Sequence, residues 1–91
     1  MLDLNFHNAF KRDIKTLKKR HYDMNALKDI IAKLCNEETL PEKYKDHPLI
    51  GNYVGYRDCH VQNDWILIYK IDLQNNLLSL YRTGTHSDLF K

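Results

Sequence analysis

The chain has 91 residues, of which 43% are hydrophobic and 29% charged, with a formal net charge of +2. That length closes one compact core and leaves no room for a second, so a single domain over residues 1–91 is expected, and the composition excludes a disordered or low-complexity chain. Two cysteines, Cys35 and Cys59, are too few for a secreted disulfide framework and lack any CxxC spacing, the first residues carry no basic-then-apolar signal pattern, and no apolar run nears the ~20 residues that span a bilayer; reduced thiols, a cytoplasmic location and no membrane contact are expected.

Residues 2–4 read as a short additional strand. Phe6, Phe10, Ile14 and Leu17 then recur at spacings of four, four and three, the stripe of an amphipathic helix. Lys11, Arg12, Lys15, Lys18, Lys19, Arg20 and His21 crowd the same segment. Such a face meets a phosphate backbone or an acidic protein, or is simply solvated. Asp23 reads as an N-cap, and Met24, Leu27, Ile30 or Ile31, and Leu34 predict a second helix that ends near Asn36. The short gap between the two runs makes a helical hairpin whose apolar stripes need a cover.

Residues 41–49 contain Pro41 and Pro48 and show no period, which predicts an ordered loop. Three strands follow: residues 52–60, with Gly55 in the middle, residues 65–71, and residues 77–82. Turns at 62–64 and 74–76 join them into a meander able to lay one face on the helices. The expected class is α+β, a small antiparallel sheet in the order β-α-α-β-β-β packed against two N-terminal helices. Residues 83–90 read as a turn with a last helical turn. Because Gly55 is a candidate bulge, alternation alone does not assign the faces of these strands.

Five histidines are a high share for so short a chain, and His47, His60 and His86 fall in the loop and at strand ends, where sites are usually built. Taken singly, each is also compatible with an ordinary surface or hydrogen-bonded role. RNA carries its own nucleophile, the 2′-hydroxyl, so its cleavage needs a base, an acid and a cation beside the phosphate. Imidazole serves as acid or base near neutrality, and arginine holds phosphate bidentately. His47, His60, Asp64, Arg82 and His86 supply that set. His60 and Asp64 are four apart, but that spacing spans a turn here and not a helical face, so neither a metal nor another cofactor is expected. Cys59 adjoins His60, yet neighbours on a strand point to opposite faces. Trp65 and Phe90 are candidates to stack on RNA bases, with core packing as the competing role. Tyr53 and Tyr56 read as strand-packing residues.

Four blocks carry a resemblance: Tyr44-Lys45-Asp46-His47-Pro48-Leu49, Gly55-Tyr56-Arg57-Asp58-Cys59-His60-Val61, Asp64-Trp65-Ile66-Leu67-Ile68-Tyr69-Lys70, and Arg82-Thr83-Gly84-Thr85-His86-Ser87-Asp88-Leu89-Phe90. In order and spacing they resemble the YafQ branch of the RelE/ParE toxin superfamily, and the similarity runs over nearly the whole chain. The resemblance implies a RelE-like microbial ribonuclease fold and a metal-independent, ribosome-dependent endoribonuclease acting on mRNA. A DinJ/RelB-like antitoxin, the ribosome and mRNA are the implied partners. The implied site is His47, His60, Asp64, Arg82 and His86. In it His86 is the general acid, Asp64 or His60 the general base, and His47 with Arg82 stabilise the phosphate. Trp65 and Phe90 would position RNA, and Lys15, Lys18 and Lys19 on the basic helix would grip ribosomal RNA or an antitoxin. A non-catalytic RNA-binding module and a gyrase-directed toxin of the same superfamily are the rival readings.

Overall fold

In the computed structural model, which describes residues 1–90, Phe6 closes a strand instead of opening a helix. Strand β1 (Asp3–Phe6) runs parallel to a strand far along the chain, pairing Asp3 with Leu77 and Phe6 with Leu80. Helix α1 (Asn8–Lys19) starts only after His7 and buries Phe10 and Leu17. It stops where Arg20 leaves the helical region and His21 takes the left-handed region at φ 63°. Helix α2 (Met24–Cys35) is capped as expected: the Asp23 carboxylate accepts the Asn25 backbone N–H at 3.0 Å, a contact worth about 1 kcal/mol. It buries Leu27, Ile30, Leu34 and Cys35.

The remaining strands are β2 (His47–Pro48), β3 (Arg57–Gln62), β4 (Trp65–Asp72) and β5 (Leu77–Thr85), followed by helix α3 (His86–Leu89). The sheet order is β1-β5-β4-β3-β2. The α+β class and the two-helix cover stand, but the sheet is mixed: β1 joins it parallel to β5, and only the other three pairings are antiparallel.

Two strand boundaries differ from the sequence expectation. Residues 52–60 do not form one strand, because Gly51–Tyr53 winds as a short 3-10 helix and Gly55 sits at φ 93°, a conformation that breaks an extended run. The strand begins at Arg57. β5 continues three residues past Arg82 because Thr83, Gly84 and Thr85 still pair with Leu67, Ile66 and Trp65. Gly84 keeps space there: a Cβ would lie 3.0 Å from the Asp88 carboxylate, which would have to give way.

Alternation along β4 separates two faces. Trp65, Leu67 and Tyr69 join Phe10, Leu17, Leu27, Ile30 and Leu34 in the main core under α1 and α2. Ile66 and Ile68 point the other way, into a smaller cluster with Leu89, flanked by the half-buried Leu49, Tyr53, Tyr56 and Tyr81. The helices therefore cover one face. Among the described residues, the second face has only a loop and α3 for cover, so polar side chains emerge beside a small apolar floor.

Candidate active site

The strand register places the polar residues on that second face. Asp58 pairs with Ile68 and His60 with Ile66, and cross-strand partners share a face. β5 then delivers the chain into α3, whose first residue is His86. A capping box holds this turn: the Thr85 hydroxyl accepts the Asp88 N–H at 3.2 Å and the Asp88 carboxylate accepts the Thr85 N–H at 3.0 Å. Arg20 reaches across from α1 and donates to the same carboxylate at 2.8 Å. The Arg20 guanidinium, followed by the Thr85 backbone N–H, draws the Asp88 carboxyl down to about 2.

His86 Nδ1 is hydrogen-bonded to Asp64 Oδ1 in the β3–β4 turn. The His86 ring lies 5.5 Å from the His60 ring and 6.0 Å from Phe90, and Phe90 in turn meets Tyr53 edge-on at 5.7 Å. His47 enters from β2. Its Nδ1 lies 2.7 Å from the Lys45 carbonyl and 3.2 Å from Asp58 Oδ1. The loop that carries it is fixed by its neighbour Asp46, which accepts from the Tyr69 hydroxyl and, at 3.3 Å on each oxygen, from the Arg57 guanidinium.

Asp58 was not singled out in the sequence, yet it lies at the base of this group. It is 3% exposed, and its Oδ1 is a buried side-chain oxygen with no hydrogen-bond partner of good geometry among the described residues. Burial pushes its carboxyl up, while His47, His60 and His86 pull it back down. The available signal was its spacing of two from His60, which puts both on one face of a strand. Cys59 between them is fully buried on the other side, and burial drives its thiol far up, so it stays a protonated core residue.

Arg82 pairs with Ile68 and so belongs to the same face, near Tyr53 and Tyr81. Its guanidinium is already engaged: Nε and Nη2 donate to Asp13 of α1 at 2.7 and 3.1 Å, and the Thr83 N–H adds a third bond to that carboxylate at 3.1 Å. Phe90, at 39% exposure, presents its ring beside His86.

One expectation is corrected. Trp65 is 2% exposed, donates from Nε1 to the Thr83 hydroxyl at 2.8 Å and packs edge-on against Tyr22, so it is a core residue and has no ring face to offer a base. Lys15, Lys18 and Lys19 are exposed on α1, the helix that covers the opposite face, because Phe10 and Leu17 turn inward. They stand apart from the imidazole cluster, on the basic helix to which contact with ribosomal RNA or an antitoxin is assigned.

The arrangement has the groups that acid–base chemistry needs. With Nδ1 of His86 committed to Asp64, its Nε2 is the ring nitrogen free to exchange a proton. His60 places a second imidazole within reach of the same small volume. Among the described residues, no group of three or more His, Cys, Asp or Glu side chains is set to hold a metal ion, and no helix is long and apolar enough to cross a membrane.

The five-stranded sheet with helices on one face matches solved structures of small bacterial toxins. A metal-bound toxin from Helicobacter pylori superimposes with a TM-score of 0.93 at 41% identity, covering 99% of this chain and 100% of that one. The DinJ–YafQ complex of Escherichia coli matches with a TM-score of 0.90 at 48% identity, covering 100% of both chains. The chain belongs to the YafQ family, described as the bacterial toxin of type II toxin-antitoxin systems, which matches residues 2–91. A relative from Escherichia coli, the mRNA interferase toxin YafQ, is 51% identical over 89 residues, covering 97% of this chain and 95% of its own.

Proposed function

We propose that this toxin is an endoribonuclease that cuts mRNA on the ribosome without a metal ion and is neutralised by a cognate DinJ-like antitoxin. The observation that carries the chemistry is the convergence of His60, His86 and Asp64 above the buried Asp58, with the Phe90 ring alongside. The name of the 51% identical relative supports the substrate, and the complex formed by a second relative supports the partner.

In this reading His60 removes the proton from the 2′-hydroxyl. The new bond forms between the 2′-oxygen and phosphorus, the P–O5′ bond breaks, and protonated His86 donates to the departing 5′-oxygen. The products are a 2′,3′-cyclic phosphate and a 5′-hydroxyl. Asp64 is a weaker choice of base because its Oδ1 is occupied in holding His86; it fixes the tautomer and orientation of that ring. His47 and the free edge of Arg82 steady the phosphate charge.

The test is single-turnover cleavage of mRNA bound to purified ribosomes, read by primer extension. His86→Ala should cut slower by about 10² to 10⁴, the usual worth of a general acid, with an unchanged melting temperature. Wild-type protein that leaves ribosome-bound mRNA intact, or His86→Ala protein of full activity, overturns the assignment.

A further inference from the structure

Beyond the imidazole cluster, a cleft of about 560 Å³ opens on the other side of His60. One wall is the end of β3 and its turn, with Gln62 and Asn63. The other is formed by the short 3-10 helix Glu42–Tyr44, carrying Lys43, and by Asp29 of α2. β2 pairs with β3 only through His47 and Pro48, so among the described residues the outer edge of β3 from Cys59 to Gln62 has no neighbouring strand. His60 is shared: its ring lies 5.5 Å from that of His86, and the residue is also among those that line the cleft.

We infer that this cleft is a nucleotide subsite that holds the RNA residue adjoining the scissile phosphate and contributes to the choice of cleavage position. The inference rests on the nuclease reading above. A strand of RNA whose phosphate lies between His60 and His86 must continue past one of those rings, and the cleft begins at His60. Its volume falls within the ~300–1,000 Å³ of pockets that bury small ligands, and its lining suits a nucleotide. Lys43 is exposed at the rim, with its ammonium 5.0 Å from the Tyr44 ring centre, a position from which it can contact a phosphate. The exposed Gln62 and Asn63 amides each present a donor and an acceptor, the pattern that reads the edge of a splayed base. The exposed Asp29 carboxylate accepts from a base amino group. A peptide segment of the antitoxin is the other candidate occupant, but strand addition draws its specificity from side-chain pockets, and most residues lining these walls carry polar side chains. The apolar cavity of about 490 Å³ between β1, α1 and α2 shares no residue with the cleft or the cluster.

The division of labour predicts separable effects, because phosphate contacts position the strand and base contacts specify it. In the ribosome assay, Lys43→Ala should raise KM by about tenfold with kcat within about twofold, the signature of binding lost equally in ground and transition states. Gln62→Ala and Asn63→Gly, the latter keeping the left-handed turn at φ 46°, should broaden the distribution of cut positions along an mRNA. Lys28→Ala removes the same charge from an exposed position of α2 outside the cleft and should leave both readouts unchanged. All three cleft substitutions are at exposed positions, and thermal melting checks that each variant is folded. If wild-type protein cuts but these variants keep its KM and its cut-site profile, the subsite is wrong while the nuclease reading survives. Variants that cut normally but bind DinJ-like antitoxin at least tenfold more weakly assign the cleft to the protein partner and likewise overturn the proposal.

Discussion

Replacing Trp65 with phenylalanine separates a packing role from an RNA-stacking role. The indole is 2% exposed, and its Nε1 donates to the Thr83 hydroxyl, which itself donates to the Ile66 carbonyl at 2.9 Å. Phenylalanine leaves that hydroxyl oxygen without its donor in a buried place, at about 1–3 kcal/mol. It also removes three heavy atoms from a closed core, about 1–2 kcal/mol at the worth of buried methylenes. A total of roughly 2–5 kcal/mol lowers the melting temperature by at least about 8 °C in a domain of this size. Thermal unfolding followed by circular dichroism reads this directly. Single-turnover cleavage at about 15 °C, where the variant is still folded, should stay within about threefold of wild type. Phe90→Ala should do the reverse, because the ring is exposed: a melting shift of no more than about 2 °C, with RNA binding weakened by the ~1–3 kcal/mol of a base stack. A Trp65→Phe protein that melts with wild type yet loses cleavage tenfold refutes the packing argument.

Asp13→Asn tests what holds Arg82. The amide cannot accept both guanidinium bonds, so single-turnover kcat should fall by about tenfold as the arginine loses its orientation. A rise in kcat instead shows that Asp13 withholds Arg82 from the phosphate. Asp88→Asn tests the strut between α1 and α3. The Asp88 carboxyl sits at about 2 against an ordinary 3.8, so its contribution to stability is full above about pH 4 and disappears as pH falls through about 2. The variant should therefore melt lower than wild type at pH 7 and show a flatter melting profile between about pH 4 and pH 2; identical profiles contradict it.

The parts of the fold that were legible in the sequence are those set by local rules. Helical spacing and the Asp23 cap located α2, and the apolar run located β4 to within a residue. Parallel pairing of β1 was not legible, because it joins residues more than 70 positions apart and leaves no local trace beyond a few apolar side chains. The strand expected from residue 52 failed at Gly51 and Gly55, whose backbone conformations override aromatic and branched neighbours. For the site, residue types and a family resemblance assembled His47, His60, Asp64, Arg82 and His86, but burial was invisible. Trp65 looked the same at the head of an apolar run whether buried or exposed. Asp58 carried no signal except its spacing from His60. The partners of Arg82 and Asp46 come from other elements, Asp13 on α1 and Tyr69 on β4, and no spacing rule joins them.

The central claim is that two imidazoles move the protons while the RNA supplies its own nucleophile. It is tested most directly with an mRNA carrying one 2′-deoxy nucleotide at the mapped cut position, bound to ribosomes and treated with wild-type toxin. The account predicts that cleavage at that position stops, moves no further than an adjacent ribonucleotide, and on the all-ribose control leaves a 2′,3′-cyclic phosphate and a 5′-hydroxyl. Undiminished cleavage of the deoxy-substituted mRNA, or products ending in a 3′-hydroxyl and a 5′-phosphate, would contradict it.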